Sequence, residues 1–251
     1  MTSDMTSDMT TISEAIIDVQ TPDGTMAVLS KRPAGDEAVP TVVIFHDAPG
    51  IRGSMHDFAR RFAAEGYHVL VPDLFYRRGR MLGWEAHEVT PEIREKVNAN
   101  LHSLTDDTIQ QDLDATLAAF DIPDDAEMGT IGFCLGARAI FRTLMRLPDR
   151  FVVGATWHPS LLHMAPDPPY ETAGQLTQPV YIGIGTADQV QSIEMQQQFF
   201  DAVEPLDHVE VAIFEGADHG FTWPKAPNYH EEAATTSWEK TTELFARVLK
   251  P

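Results

Sequence analysis

The sequence is short of several things, and each shortage removes a class of protein. It has one cysteine, Cys134, so no intrachain disulfide can form and a multi-cysteine metal site is excluded. It is poor in basic residues: 18 Lys and Arg against 38 Asp and Glu give a net charge of −20. Nucleic acid and anionic membranes are repelled by such a surface and are not expected partners. No apolar run approaches the roughly 20 residues that span a bilayer. The first residues, MTSDMTSDMTT, lack a basic n-region and an apolar h-region, so no secretory signal is read and the cytoplasm is the expected location. There is no GxGxxG or Walker motif, so no nucleotide cofactor is expected. There is also no HxxxH or HExxH, and His46, His56, His158 and His163 show no metal-ligand spacing, so no metal is expected.

What is present is apolar material in a regular order. The 251 residues are 43% hydrophobic, enough for a sizeable core. The MTSD repeat makes residues 1–11 an expected disordered tail, with residues 12–251 as a single domain. Ala15–Val19 and Met26–Ser30 read as a hairpin about the turn Pro22-Asp23-Gly24. A strand buried on both faces is expected at Thr41–Phe45, and further strands at Tyr67–Val71, Met128–Phe133, Phe151–Thr156, Val180–Ile184 and Val209–Phe214. Amphipathic helices lie between them. Ser54 is the expected cap of the first and Thr90-Pro91 opens the second, with Ile93, Val97, Leu101 and Leu104 on one stripe. Strands alternating with helices predict an α/β fold with a mostly parallel sheet covered on both faces. Sites in such sheets sit at the carboxyl ends of the strands.

One motif stands at such an end. Gly132-Phe133-Cys134-Leu135-Gly136 joins an apolar strand to a helix. It is the nucleophile-elbow pattern G-x-S-x-G with Cys in place of Ser. The turn is too tight for side chains two residues either side of the nucleophile, hence the two glycines. It also sets the thiol at a helix N-terminus, whose dipole favours thiolate. Further along, Asp188 follows strand Val180–Ile184 and His219 follows Val209–Phe214, the order of acid and base that this elbow accompanies. Asp218 competes with Asp188, but adjacent side chains diverge. The oxyanion donors expected are the amides of Leu135 and, in the loop His46–Gly50, of Ala48, since Pro49 has no N–H.

These residues carry a resemblance. Gly-Phe-Cys-Leu-Gly at 132–136, Pro-Asp-Leu-Phe-Tyr-Arg at 72–77, Gly-x-x-Asp at 185–188 and Asp-His-Gly-Phe at 218–221 resemble the dienelactone hydrolase (carboxymethylenebutenolidase) family over about residues 12–250. The resemblance implies an α/β-hydrolase fold and a Cys134–Asp188–His219 triad. It also implies that Arg77 pairs with a substrate carboxylate, and that an acid past the third strand helps to activate the thiol. That acid is Glu in the family and Asp47 here. Two further positions depart: a second substrate-binding Arg is replaced by Trp223, and a Tyr by Trp157, followed by His158, which is expected to line the pocket.

The expected function is hydrolysis of a small-molecule ester or lactone through an acyl-thioenzyme, without a cofactor. Two other readings stand beside it: a general esterase or thioesterase acting on neutral substrates, favoured by the loss of the second Arg, and a non-catalytic ligand-binding relative. The sequence leaves oligomeric state and the identity of the ester open.

Overall fold

The computed structural model describes residues 11–250. The tail expected at residues 1–11 lies outside these residues except for Thr11. Eight strands form one sheet in the order β1-β2-β4-β3-β5-β6-β7-β8. β1 (Ile12–Thr21) and β2 (Gly24–Pro33) are an antiparallel hairpin, and β2 runs antiparallel to β4 (His68–Pro72). The rest of the sheet is parallel: β3 (Thr41–Phe45), β4, β5 (Met128–Phe133), β6 (Phe151–Trp157), β7 (Val180–Gly185) and β8 (Val209–Phe214). β3, β5 and β7 are buried along their whole length, as their unbroken apolar runs require.

Helices cover both faces. α1 (Gly53–Ala64) and α7 (Glu231–Leu249) pack Phe58, Phe62, Trp238 and Phe245 into an aromatic cluster on one side. α3 (Asp106–Ala119), α4 (Gly136–Arg146), the one-turn α5 (Tyr170–Ala173) and α6 (Gln197–Val203) cover the other with Leu113, Ile140, Phe141 and Phe199. α2 (Pro91–Leu101) lies apart from these layers. Its expected apolar stripe is only partly covered, and its one buried residue is Asn100. No helix among the described residues is long and apolar enough to cross a membrane.

The hairpin strands run several residues beyond the expected segments, because the register continues unbroken from Ile12↔Pro33 to Thr21↔Gly24. Between β7 and β8 the chain forms a 3-10 turn (Glu194–Gln196) that runs straight into α6. One cap is corrected. α1 starts at Gly53 with Arg52, not Ser54, in the cap position. The Glu85 carboxylate takes the Ser54 amide at 2.7 Å and the Ser54 hydroxyl at 2.5 Å. A carboxylate accepts such bonds more strongly than a neutral hydroxyl. The Arg52 side chain is then free to turn back toward the loop after β3.

Candidate active site

β5 ends in a sharp turn. Cys134 sits there at φ +53°, a left-handed conformation that L-residues rarely hold. A Cβ on Gly132 would overlap the carbonyl oxygen of Gly136, and a Cβ on Gly136 would overlap that of Phe45. The two glycines therefore let strand, turn and helix close on one another. α4 begins directly after the turn, with Leu135 in the cap position. The Leu135 and Ala48 amides have no protein acceptor among the described residues, and both residues line the cavity in front of Cys134.

The loops after β7 and β8 bring two more groups to the same end of the sheet. The Asp188 carboxylate is 1% exposed and accepts from His219 Nδ1 at 2.7 Å. Its other oxygen accepts from the Val190 and Gln191 amides at 2.9 and 2.8 Å. Burial pushes its pKa up, but the His219 hydrogen bond and these amides bring it below the ordinary value. Asp218 faces elsewhere and accepts from the His219 backbone amide at 2.7 Å. His219 Nε2, the nitrogen left over, is buried with no hydrogen-bond partner. Cys134 and His219 line the same cavity. Burial alone raises the Cys134 thiol, yet the neighbouring imidazolium carries it below its ordinary value; the thiolate and Asp188 in turn raise His219 against the effect of burial.

Two neighbours complete the surroundings of the thiol. Ser160 Oγ lies 3.3 Å from Cys134 Sγ, and the Ser160 amide donates to the Cys134 carbonyl at 3.0 Å. His158 is 1% exposed, its two ring nitrogens are unpartnered, and its ring centroid is 5.0 Å from that of His219. Burial and the His219 charge hold His158 well below the usual imidazole pKa, so it is neutral. Cys134, His158 and His219 open into a cavity of about 310 Å³. Leu101 of α2, Leu161 and Val190 close its apolar side.

A strand–Cys–helix turn bracketed by two glycines, with a buried Asp–His pair beside it, is an arrangement found on α/β-hydrolase sheets. The family model for dienelactone hydrolases matches residues 26–249. The chain belongs to the dienelactone hydrolase family. Carboxymethylenebutenolidase of Rhodococcus opacus is 28% identical over 219 residues, 83% of this chain and 81% of that protein. A solved structure from Klebsiella pneumoniae superposes with TM-score 0.80 at 22% identity, covering 94% of this chain and 99% of the other. The dienelactone hydrolase-like promiscuous phosphotriesterase from metagenomic libraries gives TM-score 0.72 at 23% identity, covering 94% and 98%. At these identities the two structures bear on the fold. The protein is a hydrolase of ester or lactone bonds.

The remaining positions implied by the dienelactone hydrolase resemblance fall unevenly. Asp47 and Trp223 line the cavity and touch each other: Trp223 Nε1 donates to Asp47 Oδ2 at 2.9 Å. Arg77, expected to meet a substrate carboxylate, is not among the residues that line the cavity. Its guanidinium holds the fully buried Asp112 through two bonds of 2.7 and 2.8 Å, with Asp23 on Nε at 2.8 Å. A buried carboxylate needs a cation, and Arg77 is committed to that one. Trp157 is also not part of this cavity. Its indole donates to Thr241 at 3.0 Å, and its ring packs on Phe58 and Phe133 in the core behind the elbow.

Two residues of the site were missed in the sequence. Arg52 grips both oxygens of Asp47, at 2.6 and 2.9 Å, and its guanidinium carbon lies 4.7 Å over the Trp223 ring. A basic residue just past the loop after β3, in so acidic a chain, was the available signal. Ser160 gave none, since a Ser after Pro in a long loop is ordinary.

Proposed function

We propose that this dienelactone hydrolase homologue cleaves neutral, largely apolar esters or lactones through Cys134. The Asp188–His219–Cys134 arrangement carries the reading. The thiolate adds to the substrate carbonyl and forms a C–S bond, and the oxyanion is received by the Leu135 and Ala48 amides. The tetrahedral intermediate collapses with loss of the C–O bond. His219 gives its proton to the departing oxygen, which leaves an acyl-thioenzyme. His219, neutral again and held in its tautomer by Asp188, takes a proton from water as that water attacks the thioester. The acid leaves and the thiolate–imidazolium pair returns.

The preference for neutral substrates rests on the two arginines near the site. Arg77 is occupied by Asp112 and Asp23, and Arg52 by Asp47. Trp223 stands where the family places its second carboxylate-binding arginine. The cavity therefore holds no cation free to meet a substrate carboxylate among the residues that line it. A free, ionisable thiol also suits a reducing cytoplasm.

The deciding experiment is turnover of a neutral activated aryl ester and of an enol lactone carrying a carboxylate, each by the wild type and Cys134→Ala. The expected result is faster turnover of the neutral ester, lost by several orders of magnitude in the variant. Undiminished turnover in Cys134→Ala would remove the nucleophile assignment. A clear preference for the anionic lactone would remove the substrate assignment alone. Saturable binding of these compounds without turnover would favour a ligand-binding role.

A further inference from the structure

A second cavity, of about 190 Å³, lies behind the catalytic one, and the two share Trp223 as a wall. Its sides are aromatic: Phe58 from α1, Trp238 from α7, and Trp157, Trp223 and Tyr229. The indole N–H groups of Trp157 and Trp223 are already held by Thr241 and Asp47, so these rings offer apolar surface. An apolar cavity near 150 Å³ is enough for a benzene ring. Of the polar groups in the lining, the Ser54 hydroxyl is held by Glu85 and Asp57 by Arg60, whereas Thr222 is left over. Thr222 is 5% exposed, and its buried hydroxyl has no hydrogen-bond partner. A buried polar group without a partner is costly and calls for one.

The charges at the mouth select the sign of the ligand. Arg61 and Lys225 line the cavity, and neither has a carboxylate partner among the described residues. Arg61 lies flat over Trp238 at 3.5 Å from the ring centroid, so that face is already taken by a cation. The one acid in the lining, Asp57, is paired with Arg60 at 2.7 Å.

We infer that this cavity is a binding site for a small aryl carboxylate. The aromatic ring fits between the indoles, and the carboxylate supplies the acceptors that Thr222, Arg61 and Lys225 lack. A cationic ligand is repelled by Arg61 and Lys225, and an uncharged arene leaves the Thr222 hydroxyl unpaired. The site is separate from the catalytic cavity and does not depend on the nucleophile assignment.

The probe is benzoate, titrated against tryptophan fluorescence, since three of the four tryptophans line this cavity. The titration is run on the wild type before and after alkylation of Cys134 with N-phenylmaleimide, whose ring occupies the catalytic cavity beside the thiol. Saturable binding unchanged by alkylation is expected. Arg61→Gln/Lys225→Gln, two exposed positions outside the catalytic machinery, should weaken it about tenfold, since rim charges contribute modestly each. Thr222→Val, nearly isosteric, should weaken it several-fold, and toluene should bind more weakly than benzoate. Far-UV circular dichroism checks that each variant is folded. Loss of binding on alkylation would assign benzoate to the catalytic cavity. Equal affinity in the double variant, equal affinity for toluene, or no saturable binding would each overturn the inference.

Discussion

Asp47 and Arg52, five residues apart, form a two-bond ion pair that is 95% buried on both sides, at 2.6 and 2.9 Å, and Trp223 adds a third donor to the same carboxylate. The loop after β3 is thereby tied to the first turn of α1. All three donors converge on the two oxygens of Asp47. Removing Arg52 leaves a buried carboxylate with one neutral donor. Arg52→Met should cost about 3 kcal/mol or more, whereas Arg52→Met with Asp47→Leu should recover much of the loss. Urea unfolding of the single and double variants measures the difference. Equal destabilisation in both would mean that the pair is not coupled.

Arg77 allows a sharper separation. It belongs to Asp112, whose side chain is fully buried, and it rests 4.4 Å over the Tyr76 ring. Arg77→Leu should lower stability by about 2 to 4 kcal/mol through the abandoned carboxylate. KM for neutral and anionic esters should change by the same factor. A rise in KM confined to anionic esters would return Arg77 to a substrate-binding role.

The sheet and the elbow were legible because each depends on local rules. Unbroken apolar strands, helices at 3.6-residue spacing and two glycines bracketing Cys134 mark themselves in one dimension. The partner of Arg77 was not legible, because the place of a long cation is decided by whichever buried carboxylate lies within reach, here Asp112, 35 residues away. Ser54 failed for a similar reason: Glu85, 31 residues later, outcompetes a local hydroxyl. Trp157 carried the family position, but its indole is drawn into the core by Thr241. Long-range partners of polar side chains have no sequence period, and these errors all concern such partners.

The elbow glycines make a direct test of the local rule. Gly132→Ala and Gly136→Ala each push a methyl group into a carbonyl oxygen held by the sheet or by α4, so neither neighbour can yield cheaply. Each should cost several kcal/mol, about 3 or more, or prevent folding. Gly216→Ala is the control. Gly216 has φ +74° and open space around its missing Cβ, so only backbone strain of about 1 to 2 kcal/mol is expected. Comparable losses at all three positions, by thermal unfolding, would show that steric closure of the elbow is not what the two glycines provide.

Stability should also carry a histidine signature. His68 on β4 bonds to Ser30 at 2.9 Å and packs against Phe120, and burial lowers its pKa to about 4. Between that value and the ordinary one near 6.5, the unfolded chain binds the proton and the folded one does not. Stability from this group is therefore complete above about 6.5 and lost as pH falls toward 4. Asp73 opposes it, because burial raises its carboxyl to about 6 and the folded state is then the proton binder. His68→Gln should flatten the rise of unfolding free energy with pH in this window, by up to about one proton or 1.4 kcal/mol per pH unit. An unchanged slope would mean that His68 is protonated equally in both states.

The thiol itself gives the most direct readout of the proposed chemistry. Cys134 feels two opposed effects: burial, which favours the neutral thiol, and the His219 imidazolium, which favours thiolate and prevails. His219 is the mirror case, with burial against it and the thiolate and Asp188 for it. The pair therefore titrates as a unit, and its charged form persists below the roughly 8.5 at which a free cysteine ionises. Alkylation by iodoacetamide should stay fast at neutral and mildly acid pH, where a free thiol slows about tenfold per unit. His219→Asn removes the cation and leaves only the Ser160 hydrogen bond against burial, so the apparent pKa should move up. Asp188→Asn weakens the hold on the imidazolium and should move it part of the way, and Ser160→Ala by less, because only one hydrogen bond to sulfur is lost. A wild-type profile that already titrates near 8.5 and ignores His219→Asn would show that the thiol and imidazole do not share a proton, and the acyl-thioenzyme route would lose its nucleophile.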